Sequence, residues 1–293
     1  MLQSLKKIHR VEFLIAYFVI LLFPVILAAP PLQNSLAVIG FVLLVFAFGN
    51  AINSYSDAKS DISNLRKKSI SDAVSKIKFL KLLIVAEFIF IAAGAVVLFG
   101  SNFVVWILGG IAGFFMLGYS VEPLRFKGRG ILHVVSLSLS VYILPPMFVY
   151  FALVENIVWG FVALLIFYSL FRTGVSLINN IDDYFEDKKQ GIKTTAVAFG
   201  VKKTTTLGVI ITGFGIIGLA VVLFKLNTPL ILIALLSLVG IFILLQEYGV
   251  YKQANKSIAK GVKASQEFFK QPKIVNLFDL VLLFICIFLH LTI

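Results

Sequence analysis

Nine apolar runs, each about 17 to 25 residues long, dominate this 293-residue chain; they lie near residues 11–29, 35–53, 79–99, 103–119, 131–154, 157–181, 207–224, 229–248 and 276–292. A run of that length forms a helix able to cross a hydrocarbon core about 30 Å thick, and a helix satisfies its own backbone inside lipid. The expected class is therefore an all-α integral membrane protein with nine transmembrane helices. Composition agrees: 60% of residues are hydrophobic and 14% charged, against roughly 45–50% apolar in soluble domains. No small-residue cleavage site follows the first run, so it reads as a retained span rather than a signal peptide. The single cysteine, Cys286, lies within the last run, which leaves no intrachain disulfide to expect.

Orientation follows from the basic residues. Of the 26 Lys and Arg, 24 fall before the first run or in the loops after the second, fourth, sixth and eighth, with Lys81 at the start of the third run counted with the loop it adjoins; Arg172 lies inside the sixth run and Lys225 on the opposite side. The positive-inside rule then makes this a multi-pass cell-membrane protein with N-terminus and long loops cytoplasmic and C-terminus external. The net charge of +12 is a topology signal. With no soluble domain to carry a basic surface, the bilayer is an expected partner and nucleic acid is not.

Polar residues concentrate at two places. Asn53-Ser-Tyr-Ser-Asp57-Ala-Lys-Ser-Asp61 closes the second run, and Asn179-Asn-Ile-Asp-Asp183-Tyr-Phe-Glu-Asp187 closes the sixth. In a continuing helix, residues four apart advance only about 40°, so Asn53, Asp57 and Asp61 share one face. Carboxylates at a helix C-terminus meet the negative pole of its dipole, an unfavourable position unless a cation lies between them. Asp183 follows Asp57 by 126 positions, as Asp187 follows Asp61. The motifs end spans four apart, and an even step preserves sidedness. The expected architecture is two parallel four-helix repeats around a central cavity, plus a ninth helix.

Other features carry weaker expectations. Lys6, Lys7, His9 and Arg10 read as a headgroup anchor. Glu87, inside the third run, is expected to face the interior, with Arg172 its candidate partner. Tyr119-Ser120-Val-Glu122-Pro123-Leu-Arg125-Phe-Lys127-Gly-Arg129 packs three cations into a short loop suited to phosphate oxygens. Pro145-Pro146 removes two backbone donors mid-span, so the freed carbonyls need other partners. Runs seven and eight carry almost no polar groups. The segment from Tyr251 to Lys273 reads as a lysine-rich surface helix.

Two oxygen-rich clusters rimmed by cations, beside apolar walls, suit a lipid with a diphosphate head held through Mg²⁺. Here the residues resemble the UbiA family of intramembrane prenyltransferases, in a look closest to its carotenoid, lycopene-elongase-like branch. The motifs Asn53-x-x-x-Asp57-x-x-x-Asp61 and Asp183-x-x-x-Asp187, the Tyr119-Ser120 loop with Pro123-Leu-Arg125-Phe-Lys127, and Lys188 to Thr195 carry the resemblance. It implies one domain over residues 1–293 and a polyprenyltransferase, an enzyme transferring alkyl groups other than methyl from a prenyl diphosphate donor to a hydrophobic acceptor: a carotenoid, a quinone precursor or an isoprenoid lipid. It implies Mg²⁺ held by Asn53, Asp57, Asp61, Asp183 and Asp187; diphosphate contacts from Asn53, Arg125, Lys127, Lys188 and Asn180; and Tyr119 and Ser120 beside the reacting carbon. Ser54, Asn180, Arg66-Lys67 and Glu122 depart from the family's common residues. The alternatives are a CDP-alcohol-type phosphotransferase, whose upstream Asp-Gly and Ala-Arg are missing, and a cation-coupled transporter, against which the parallel repeats weigh.

Overall fold

The computed structural model describes residues 1–62, 68–154, 156–270 and 273–292, with the side chains of 59–61 outside the described set. In order the chain forms α1 (Leu2–Ile8), α2 (Val11–Ala28), α3 (Leu32–Asp61), α4 (Lys68–Ser75), α5 (Leu80–Phe99), α6 (Phe103–Ser120), α7 (Ile131–Leu137), a π-helical turn (Ser138–Ile143), α8 (Leu144–Leu153), α9 (Trp159–Asn179), α10 (Tyr184–Lys189), α11 (Thr195–Phe199), α12 (Val201–Lys225), α13 (Leu230–Lys256), α14 (Ile258–Phe269) and α15 (Lys273–Thr292). Among the described residues, nine helical segments are long and apolar enough to cross a membrane. They match the nine runs in order; α3, α12 and α13 extend past them toward the lysine-rich loops. At 1.5 Å per residue a helix of 25 residues or more outreaches the hydrocarbon core, so its polar end stands in the headgroup layer.

Chain contacts define two compact units, Met1–Phe126 with Leu144–Glu155, and Lys127–Ile143 with Asn156–Ile293. The division falls inside the fifth run, where Pro145-Pro146 interrupts the helix. Pro146 has no N–H for the carbonyl of Tyr142, four residues back. Ser169, on α9, donates to that carbonyl instead, and the backbone widens into the π-helical turn. This supplies the outside partner that the sequence demands.

In the first unit, Pro31 caps α3, its fixed φ matching a helix start, and its carbonyl accepts from Asn34 and Ser35 N–H groups. Asn102 caps α6 by accepting from Val105 N–H at 3.2 Å and donates to the Phe151 carbonyl on α8. Phe148, also on α8, meets Phe99 edge-on at 4.9 Å and Phe41 at 6.2 Å.

The second unit is built on close approach of α9 and α12. A Cβ on Gly215 would stand 2.5 Å from the Phe171 backbone nitrogen, and one on Gly174 would stand 2.8 Å from the Gly208 carbonyl. Only backbone atoms fit there, which is how small residues let membrane helices pack. Gly215→Ala is expected to destabilise the protein by about 1–3 kcal/mol through overpacking, read as a lower thermal midpoint in detergent. Gly110→Ala, with nothing within 4 Å of its added Cβ, serves as the control.

Candidate active site

The first acidic motif lies on α3 in one unbroken helix, so Asn53 and Asp57 are one turn apart. Asp61 ends that helix, but its side chain lies outside the described residues. Ser120, the last residue of α6, donates to Asn53 Oδ1 at 2.9 Å. Asp57 is only 9% exposed. Its Oδ1 lies 3.9 Å from Arg125 Nη2, while Arg125 Nη1 bonds Glu122 Oε1 at 3.1 Å. Within the first unit the fold thus brings together four expected residues: Asn53, Asp57, Ser120 and Arg125. Tyr119 is half-buried beside Ser120 in sequence.

Local packing fixes the approach of Arg125. The next residue, Phe126, is buried among Phe114 and Phe115, with ring centroids at 5.7 and 5.8 Å. Its ring also covers Gly118, where a Cβ would stand 2.5 Å from Phe126 Cε2. A glycine one turn before the loop is what lets the loop fold back on α6.

The second motif lies in the second unit and differs from expectation. The helix of the sixth span stops at Asn179, residues 180–183 turn, and α10 begins at Tyr184. Asp183 is therefore the residue before a helix start, at the positive end of a helix dipole, rather than a residue at the C-terminus of the span. The four-residue step survives because Asp187 N–H donates to the Asp183 carbonyl at 2.9 Å. Both aspartates are half-buried and Lys188 is exposed, its ammonium 5.8 Å from the Tyr184 ring centroid. Among the described residues the buried Asn180 Nδ2 has no hydrogen-bond partner, which leaves it a donor in need of an acceptor.

Lys127 belongs to this second unit and is buried, 7% exposed. Its loop is stitched to the segment after the motif: Gly130 N–H donates to the Lys193 carbonyl at 2.7 Å, and Thr195 Oγ1 donates to the Gly130 carbonyl at 2.8 Å. His133 lies against Thr195, Nδ1 to Oγ1 at 3.2 Å. The cationic loop and the tail of the second motif thus hold each other.

Among the described residues no three His, Cys, Asp or Glu side chains group as a metal cage. Mg²⁺ does not need one, since it is ordinarily held by one or two carboxylates with water and substrate phosphate. Asn53 Oδ1 and the Asp57 carboxylate are hard oxygen donors one turn apart, and the donor set fits that cation.

Two expectations about buried polar groups are corrected. Glu87 does not pair with Arg172: it accepts from His9 Nε2 at 2.8 Å. Arg172 instead donates to Asp279 Oδ2 at 2.8 Å, and Tyr168 donates to the other Asp279 oxygen at 3.0 Å. Span eight is not free of polar groups, because Glu247 is fully buried and accepts from Thr212 at 3.1 Å. Sequence order gave no signal for these partners, which lie 35 to 111 positions apart.

A family model described as the UbiA prenyltransferase family matches residues 13–269. No functionally curated sequence matches the chain. Among solved structures, a membrane digeranylgeranylglyceryl phosphate synthase superimposes with a TM-score of 0.70 at 20% identity, covering 98% of both chains. A UbiA homolog from Archaeoglobus fulgidus bound to GPP and Mg²⁺ gives 0.69 at 19% identity, over 97% of this chain and 99% of that one. The same homolog with DMAPP and Mg²⁺ gives 0.67 at 19% identity, with the same coverage. At such identities the likeness is one of fold.

Proposed function

The chain belongs to the UbiA prenyltransferase family, and from that premise we propose that it transfers a polyprenyl group from a prenyl diphosphate to a hydrophobic, membrane-dissolved acceptor, with Mg²⁺. The observation that carries this reading is the grouping of Asn53, Asp57, Ser120 and Arg125 at the polar end of α3. The binding of GPP, DMAPP and Mg²⁺ by structural neighbours supports the choice of donor and metal.

In this reading Asn53, Asp57 and Asp61 of the first motif, with Asp183 and Asp187 of the second, hold Mg²⁺. When bound, Mg²⁺ neutralises charge on the diphosphate oxygens. Arg125, Lys127 and Lys188 add donors to the same oxygens, and Asn180 Nδ2 supplies a neutral one. As the bond from C1 of the prenyl chain to oxygen breaks, the electron pair leaves with the diphosphate, and these donors meet the charge where it grows. A nucleophilic carbon or hydroxyl oxygen of the acceptor then bonds to C1, and the proton it gives up passes to the released diphosphate. Tyr119 and Ser120 stand beside the reacting carbon in this scheme, and Ser120 also orients the Asn53 amide.

The acceptor assignment rests on charge. A carboxylate acceptor needs a free cation within the spans, and Arg172 is already paired with Asp279. A carotenoid or another isoprenoid lipid relies chiefly on buried area, worth roughly 25 cal/mol per Å². The test is purified protein in proteoliposomes, given radiolabelled prenyl diphosphates of several lengths and a panel of acceptors, with Mg²⁺ or with chelator. Mg²⁺-dependent label in a lipid product supports the reading; transfer undiminished by chelator overturns it.

Both motifs and the N-terminus face the cytoplasm in this proposal, as the 24 clustered basic residues direct. A cysteine placed at Lys263 on α14, with Cys286 replaced, is expected to react with a membrane-impermeant maleimide only from the cytoplasmic side. Labelling from outside would reverse the topology.

A further inference from the structure

In the first unit the N-terminal segment is fastened to the helix that carries Asn53 and Asp57. Ser54, fully buried, donates to the Ile8 carbonyl at 2.8 Å, and Asn50 Nδ2 donates to the His9 carbonyl at 3.2 Å. Ile8 is itself fully buried and packs with Ala51, Ala73, Ile77 and Leu80. Asn50 and Ser54 flank Asn53 on the same stretch of α3, so the fastening acts on the turn that leads to Asp57.

His9 closes this clasp. Its Nδ1 lies 2.9 Å from the Leu5 carbonyl and its Nε2 2.8 Å from Glu87 Oε1 on α5. Both partners are acceptors, and only the imidazolium carries a proton on each nitrogen. Neutral imidazole leaves one acceptor facing a lone pair. The second oxygen of Glu87 is buried without a hydrogen-bond partner, so His9 is the hydrogen-bonded partner of that carboxylate among the described residues. Among the described side chains, the charged groups on the surrounding elements are Lys6 and Lys7 on α1, Arg10 and Glu12 at the start of α2, Asp57 on α3, Lys68 and Asp72 on α4, and Lys81 and Glu87 on α5. Of these, Glu87 touches the ring.

We propose that α1 is a positioning element for the first acidic motif, docked on α3 by the His9–Glu87 pair and transmitting that docking through Asn50 and Ser54 to the turn bearing Asn53 and Asp57. The contacts stand without any assumed reaction; the consequence for metal binding rests on the function proposed above. The Glu87 hydrogen bond raises the His9 pKa above its ordinary 6.5, against the lowering effect of burial. A raised folded pKa means that the docked state has its full proton-linked stability below about pH 6.5 and loses it as pH rises through the higher folded value.

The test compares wild type, His9→Gln, Ser54→Ala and the double variant His9→Gln/Glu87→Gln in lipid nanodiscs. Hydrogen-exchange protection of residues 2–9, measured across the titration range of histidine, reads docking. Mn²⁺ binding in the presence of inorganic diphosphate, followed by paramagnetic resonance, reads the motif without turnover. Wild-type protection is expected to fall with rising pH, and His9→Gln to lose protection at every pH. The double variant, a neutral pair able to hydrogen-bond, is expected to recover protection with no pH dependence. Ser54→Ala, which loses one buried hydrogen bond, is expected to weaken Mn²⁺ binding about fivefold. Wild-type protection that ignores pH, or Mn²⁺ affinity equal in wild type, Ser54→Ala and His9→Gln, overturns the proposal. Wild type that binds Mn²⁺ with diphosphate yet transfers no prenyl group would instead count against the proposed reaction and leave the clasp standing.

Discussion

Asp57→Ala is expected to cut prenyl transfer by at least about 10²–10³-fold, and Asp183→Ala by as much, the scale on which losing a preorganised electrostatic contact to a developing charge slows an enzyme. The folded protein should survive both changes. Asp57 lies toward the polar end of α3, 3.9 Å from the Arg125 guanidinium, and Asp183 is half-buried at the start of α10. Asp57→Ala also frees Arg125, which still has Glu122 for a partner. The loss should therefore appear in turnover and in Mg²⁺ dependence, with monodispersity and thermal midpoint close to wild type. Asp57→Asn makes the test sharper, since it keeps size and one oxygen while removing the charge. Wild-type turnover in the presence of chelator, or an Asp57→Ala enzyme of normal rate, would overturn the metal assignment.

What was legible in the sequence follows from how local its causes are. Span length is set by hydrocarbon thickness, and the nine runs predict the nine helical segments to within a few residues at their apolar ends. The face shared by Asn53 and Asp57 follows from helical repeat alone. The break after Asn179 was less visible, because Asn180 and the turn to Asp183 interrupt a pattern that reads equally well as one helix. Pairings between helices were not legible. Glu87 had Arg172 as its candidate partner in the sequence, and only the packing of the N-terminal segment brings His9 to it instead. Ser54, where many family members carry an acid, shows how a departure acquires sense from its contact. A hydroxyl donates to the Ile8 carbonyl, whereas an ionised carboxylate would set acceptor against acceptor.

Arg172→Leu is expected to destabilise the protein by about 3–5 kcal/mol, the usual consequence of removing one partner from a buried ion pair. Among the described residues Asp279 would keep the Tyr168 hydroxyl at 3.0 Å, with the oxygen that Arg172 held stranded. The guanidinium also lies 5.8 Å from the Tyr142 ring centroid, so the substitution strips the ring of its cation as well. This makes the single variant a poor probe of the acceptor, because lost transfer could reflect lost folding. Removing Asp279 alongside Arg172 takes out both charges but also the Asp279 acceptor of the Tyr168 hydroxyl, at about 1–3 kcal/mol. The triple change Arg172→Leu/Asp279→Leu/Tyr168→Phe removes all three polar groups together, and apolar replacement of a buried pair is often neutral or stabilising. Thermal unfolding in detergent should therefore rank the variants with Arg172→Leu lowest and the triple variant nearest wild type. On that restored background the acceptor question is open to measurement in proteoliposomes. An apolar acceptor should be prenylated at a rate close to wild type, since it draws nothing from the guanidinium. Selective loss of transfer to a hydroxybenzoate, robust in wild type and absent in a stable triple variant, would show that Arg172 serves a carboxylate and would overturn the apolar-acceptor reading while leaving prenyl transfer intact.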